Sequence, residues 1–244
     1  MNALLTSSKK QLVEISNEII SYSNESLDRS YFFSDLSKGV IEVEALYYIF
    51  QQYEYWRNIF HTWFGLCILK SGDSADTYTS DTVKELAHHT WIEMKENHTA
   101  MYKNFMSQLN LCAEKRIESR ATKQYRAHFI NKFGITNGNF KEAVAALSGR
   151  ELFASIRNIW VKKAFKTHYN IDKTPWWDIH EQLELDHFHD TFAPLAGELA
   201  DSSRCEEVMR YMVEEIDAHV HYWDQLYDEA LNLFPIIENQ AGNS

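Results

Sequence analysis

His180, Glu184 and His187 stand in the pattern H-x-x-x-E-x-x-H, within a stretch of strong helical character. Spacings of i, i+4 and i+7 bring all three onto one helix face, stacked over two turns. Trp176, Leu183, Thr191 and Leu195 continue that stripe, so it faces a core rather than solvent. Buried ionisable groups are costly unless paired or bound to a metal. Two imidazoles and a carboxylate from one helix make a partial shell for iron, manganese or zinc. The plainer reading is chance, in a chain with 11 His and 35 acidic residues. Other helices must therefore supply the remaining ligands.

Two carboxylates on otherwise apolar faces are candidates. Glu54 lies in the line of Phe50, Tyr53, Arg57, Phe60 and His61, where a simple pair with Arg57 would also account for it. Glu151 follows Val144 and Leu147 and precedes Ala154 and Asn158; a surface pair with Arg150 or Lys163 is its plainer role. Between them two arrangements compete. Glu93 and His98 are five positions apart, about 140° out of line on a continuous helix, so a local break must unite them. Glu85 and His88 instead repeat the E-x-x-H of Glu184 and His187. The order Glu54, Glu85/His88, Glu151, Glu184/His187 then matches the template of ferritin-like di-iron sites.

The elements that position these residues read as helices throughout, with periodicity near 3.6 and no strand alternation. The pattern predicts helices over 4–22, 43–69, 81–94, 99–109, 117–133, 140–168, 175–199 and from Ser202 to about 233. Pro175 suits a first helical turn, Pro194 should kink its helix, and Ser202-Ser203 can cap the last one. Asn137-Gly138-Asn139 is a turn. With no linker or repeat, one all-α domain over 1–244 is the economical reading, a bundle of seven to nine helices with a core over about 40–233.

Composition narrows the function. A net charge of −11 disfavours nucleic acid and anionic membranes as partners. No stretch approaches 18 apolar residues and no apolar leader follows Met1, so a cytoplasmic protein is expected. Cys67, Cys112 and Cys205 are odd in number and widely spaced, and read as reduced thiols.

Taken together, these motifs resemble those of the haem-oxygenase-like non-haem di-iron oxidases and oxygenases. The similarity is to CADD-like proteins (named for the chlamydial protein associating with death domains), within the TenA/PqqC-type structural class. It covers roughly residues 40 to 200, and its most specific part is the last motif. The resemblance assigns as metal ligands Glu54, Glu93, His98, Glu151, His180, Glu184 and His187, and so favours Glu93/His98 over Glu85/His88. Glu184 departs from the family pattern, which has Asp there. The resemblance further implies a seven-helix core and two iron ions, or manganese in part. It implies activation of O2 on a small-molecule substrate with an external reductant, and allows a homodimer. Two divalent ions would balance the four carboxylates Glu54, Glu93, Glu151 and Glu184, which would otherwise repel or hold protons.

Alternatives on the same fold are a metal-free TenA-like hydrolase with a Cys nucleophile, and a non-catalytic interaction protein; a ferritin-like di-iron protein remains a second alternative. His61 can orient a ligand or be a core histidine. His88-His89 read as surface groups or as support for the ligands. Asp217, His221 and Asp224 read as a polar helix face, and Trp160, Trp176 and Trp177 as possible walls of a pocket.

Overall fold

In a computed structural model, the structure describes residues 2–73, 77–95, 98–109, 111, 117–134, 137–192, 195, 199 and 201–235. Among these residues there is no strand. The helices are α1 (Asn2–Arg29), α2 (Tyr31–Lys38), α3 (Val43–Ile59), α4 (His61–Lys70), α5 (Thr77–Lys95), α6 (His98–Ser107), α7 (Arg120–Phe133), α8 (Phe140–His168), α9 (Pro175–Phe192) and α10 (Ser202–Leu233).

Local chemistry sets the boundaries. Asn139 caps α8 by accepting from the Glu142 backbone N–H at 2.9 Å, and Ser119 caps α7 through Thr122. Asp201, rather than Ser202 or Ser203, caps α10, accepting from the Ser203 N–H at 2.9 Å. Helix α2 falls outside the sequence expectation. It starts on Ser30, whose hydroxyl accepts from Phe33 N–H, and stops at Gly39, whose φ of 69° closes the last turn. The helix expected over 43–69 is divided at Phe60. There the Phe60 and Trp63 amides bond three residues back instead of four, tightening one turn without Gly or Pro. Helix α9 ends at Phe192; Leu195 and Leu199 are buried in short 3-10 turns, whereas Pro194 and Cys112 lie outside the described residues.

Helix α8 is the axis of the bundle and packs most extensively on α9 and α10. From Ala143 to Asn158 every one of its residues is buried, so it shows no solvated stripe along that stretch. Gly149 sets the closeness of α8 to α10: a Cβ there would lie 2.6 Å from the Met212 Cβ. Ser148 donates to the Thr191 hydroxyl (2.9 Å) and Ser155 to the Glu181 carbonyl (2.7 Å), fixing α8 against α9. The fully buried Trp56, Trp63, Trp176, Trp177 and Trp223 fill the surrounding core. Asp217 and Asp224 take the Tyr22 and Ser30 hydroxyls, both at 2.6 Å, so they tie α1 and α2 to α10, and His221 is exposed.

Candidate metal centre

The buried face of α9 carries Trp176, Trp177, His180, Glu184, His187, Phe188, Thr191 and Phe192. The sequence stripe is thus correct for the three ligand-type residues, although Leu183 is only half-buried. Across from Glu184 and His187, α8 presents Glu151. One ligand atom each from Glu151, Glu184 and His187 lie within 4.8 Å of one another, and all three residues are buried. Glu151 is fully enclosed, not at the surface.

Arg150 completes the charge balance, with Nη1 3.3 Å from Glu151 Oε1 and 3.9 Å from Glu184 Oε2. Its guanidinium lies 3.8 Å from the centre of the Phe60 ring, where it is stacked and desolvated. His187 Nδ1 stands 3.8 Å from a carboxylate oxygen of both Glu151 and Glu184, too far for a hydrogen bond. Both His187 nitrogens and Glu151 Oε2 are buried without a hydrogen-bond partner. Burial, and then the Glu184 charge, push the Glu151 carboxyl up to about 8. Burial alone would also raise Glu184, but Glu151, His187 and Arg150 hold it well below the carboxylate range. Burial would lower His187, yet the two carboxylates outweigh that and lift it to about 10. One carboxyl of the pair is therefore protonated and the other charged.

A second group forms at the start of α9. The His180 ring stacks on Trp176 at 4.1 Å, with Nδ1 2.6 Å from the Trp176 carbonyl. A carbonyl only accepts, so Nδ1 carries a proton and donates it there. His98, the first residue of α6, brings its ring to 4.5 Å from that of His180, edge to face. Tyr102, one turn further on, donates to the Phe50 carbonyl at 2.6 Å and anchors α6 to α3. Glu54 is half-buried on α3; after burial and Tyr53, it helps to raise the Tyr102 phenol. Glu93 belongs to the last turn of α5, but its side chain, like that of His61, lies outside the described residues.

His89 is the residue that sequence reasoning missed. It is 1% exposed and stacks on His187, while His88 is exposed and stacks on Trp91. The inward register of α5 is therefore Glu85 with His89 at i+4, not Glu85 with His88. Thr82, Leu86 and His89, at i, i+4 and i+7, are the buried stripe that would have revealed it. Glu85, His89 and Asp190 also place one ligand atom each within 4.8 Å of one another, although Asp190 is exposed.

The donor set fits a metal: unpartnered imidazole and carboxylate atoms face each other in a buried space, with mixed N and O donors of the kind iron accepts. Neither described cysteine is a ready nucleophile. Burial pushes the Cys67 thiol far up, and Cys205 is also raised by burial, then by Glu18 and Glu206. A surface groove of about 730 Å³, bounded by Tyr48, Ile117, Arg120 and Leu233, includes none of the candidate ligands. Trp176 and Trp177 are core residues, and Trp160 borders a separate groove with Lys163 and His168.

Residues 48–224 match the model of a family described as iron-containing redox enzymes. Two crystal structures of a CADD-like protein of unknown function from Nostoc punctiforme are similar to the chain. One has a TM-score of 0.69 at 15% identity, over 88% of this chain and 98% of that one. The other has a TM-score of 0.63 at 16% identity, over 91% and 98%. A TenA homolog from Pseudomonas syringae pv. tomato has a TM-score of 0.61 at 10% identity, over 88% and 92%. The all-α, haem-oxygenase-like fold follows from these. No curated protein matches the chain. Among the described residues, no helix is long and apolar enough to cross a membrane.

Proposed function

This chain belongs to the family of iron-containing redox enzymes, and we propose that it is an O2-dependent oxidoreductase that holds two iron ions. The carrying observation is the buried trio Glu151, Glu184 and His187, in which Glu151 Oε2 and both His187 nitrogens have no hydrogen-bond partner. In this reading Glu151, Glu184 and His187 hold one ion and His98 and His180 serve the other, with Glu54 and Glu93 as the outer carboxylates. His89 stands beside His187 as a further donor. Manganese can replace iron in such a donor set. Bound iron would supply the reaction with O2 and the exchange of electrons with a small organic substrate and an external reductant.

The protein's part is to bind, orient and exclude water. The Trp176 carbonyl fixes the His180 tautomer, so that Nε2 is presented to the metal. Arg150 offsets part of the carboxylate charge before metal arrives. Binding displaces the protons held at Glu151 and His187, so uptake is coupled to proton release. The surrounding Tyr53, Tyr102, Trp176 and Trp177, all buried, keep the site dry and suit a weakly polar substrate.

Anaerobic titration with Fe(II), with metal quantification and optical spectra on admitting O2, tests the proposal. Uptake of two ions is expected, with most of it lost in His187→Ala and His180→Ala. Equal failure of wild type and variants to take up iron would overturn it.

A further inference from the structure

A second buried polar assembly lies beside the candidate metal centre, joining α7, α8 and α10. Arg157 is fully buried, and its Nη1 is 3.2 Å from His219 Nε2. Arginine only donates, so His219 Nε2 accepts and its proton is on Nδ1. Burial and the Arg157 charge keep that imidazole neutral. Nδ1–H then donates to the Tyr125 oxygen at 2.7 Å, and the phenol in turn donates to Glu215 Oε1 at 3.0 Å. His219 and Glu215 are both 0% exposed. The other oxygen of Glu215 is 3.4 Å from Nε2 of His128, whose side chain is 38% exposed. The directions are thus fixed along a chain that runs from a buried cation through His219 and Tyr125 to a buried carboxylate, whereas the Glu215 oxygen facing His128 has no hydrogen-bond partner.

The phenol also sits on an aromatic path to the candidate ligands. Tyr125 and Trp56 have ring centroids 4.6 Å apart, and Trp56 and Phe60 6.0 Å apart. Phe60 carries Arg150, which touches Glu151. Packing alone does not call for a phenol whose proton points at a buried carboxylate, because Phe would fill the volume without burying a second polar group.

We propose that Tyr125 is a redox-active tyrosine that gives one electron to a one-electron oxidant by way of Trp56 and its phenolic proton to Glu215. The Oη–H bond breaks, an O–H bond forms on Glu215, Tyr125 becomes a neutral phenoxyl radical, and the oxidant gains one electron. An electron from a one-electron reductant, together with the proton on Glu215, restores the phenol. In the working protein the oxidant is the oxidised iron centre, so this role rests on the function proposed above.

The test supplies its own oxidant and needs no metal. The metal-free chain is oxidised with photogenerated tris(bipyridine)ruthenium(III), and the phenoxyl absorption and electron paramagnetic resonance signal are followed. A long-lived tyrosyl radical is expected in wild type and in Tyr222→Phe, which removes the phenol stacked on Tyr125. It should be absent in Tyr125→Phe. Glu215→Gln, nearly isosteric and still able to accept a hydrogen bond, should slow its formation about a hundredfold, the scale of a lost proton acceptor. A long-lived radical that persists in Tyr125→Phe, or an unchanged rate in Glu215→Gln with helical content intact, would overturn the proposal. Failure to bind iron while this radical still forms would count against the iron centre alone.

Discussion

The imidazoles of His89 and His187 lie face to face, with centroids 4.0 Å apart and planes 28° apart. Burial, and then the charge of His187, lower His89 to about 4, so it is neutral where His187 is protonated. His89 therefore sets the position of a candidate ligand from another helix and brings a lone pair of its own. His89→Phe should retain the stacking and the fold but weaken Fe(II) binding by about 10–100-fold, as substitutions that support metal ligands do. His88→Ala should leave binding unchanged. Equal losses in the two variants, measured by anaerobic titration, would return the contribution of α5 to the His88 register.

The metal-free site should have a signed pH dependence. Glu151 is raised from 4.5 to about 8 and His187 from 6.5 to about 10. A group whose folded value is raised contributes stability below its unfolded value, and that stability is lost as pH climbs through the folded one. Glu151 and His187 thus both lose stability between pH 6.5 and 8. His89 acts in the opposite direction, but between about 4 and 6.5, and Glu184, lowered below 4.5, acts lower still. Tm of the metal-free protein should fall from pH 6.5 to 8, less steeply in Glu151→Gln. Identical slopes in thermal melts of the two proteins would contradict this.

Two glycines should respond in opposite senses. A Cβ at Gly149 would meet the Met212 Cβ at 2.6 Å, whereas one at Gly65, inside α4, would meet nothing within 4 Å. Gly149→Ala should destabilise by about 1–3 kcal/mol through overpacking. It should also weaken iron uptake, because Glu151 follows two residues later on the same helix. Gly65→Ala should stabilise by about 0.5–1 kcal/mol. Denaturant melts of both variants give the signs directly.

Helix α9 carries three of the candidate ligands, more than any other helix, and should gain order from the metal. Binding only the ordered state stabilises it by about 2.7 kcal/mol at a hundredfold excess over the dissociation constant. Hydrogen exchange over Pro175–Phe192 should slow on adding Fe(II). Equal protection with and without the ion would mean that α8 and α9 hold the ligands in place unaided.

Legibility in the sequence followed the strength of the local signal. Helix α8 is readable to the residue, because Asn139 caps it and buried positions recur from Phe140 to Phe165. The His180, Glu184, His187 face was readable because one helix holds all three at fixed spacing. The division at Phe60 was not, since a tightened turn there leaves no Gly or Pro to mark it. Helix α2 was missed despite the Ser30 cap and Gly39, because eight residues carry too short a period to stand out. His89 was obscured by its neighbour: E-x-x-H and E-x-x-x-H are equally helical, and only the packing of Thr82 and Leu86 decides between them. The burial of Arg150 has no local signal, because nothing in its neighbours shows that a cation will be stacked on Phe60 in the core.

The central position of α8 also has a consequence for synthesis. Its buried stretch from Ala143 to Asn158 has most of its contacts with α9 and α10, which leave the ribosome later. Translation at roughly 5–20 residues per second leaves that stretch without its cover until α10 has emerged. During that interval the nascent chain exposes an apolar helix surface with Arg150, Glu151 and Arg157 set into it, and those charges would keep it hydrated until its partners arrive.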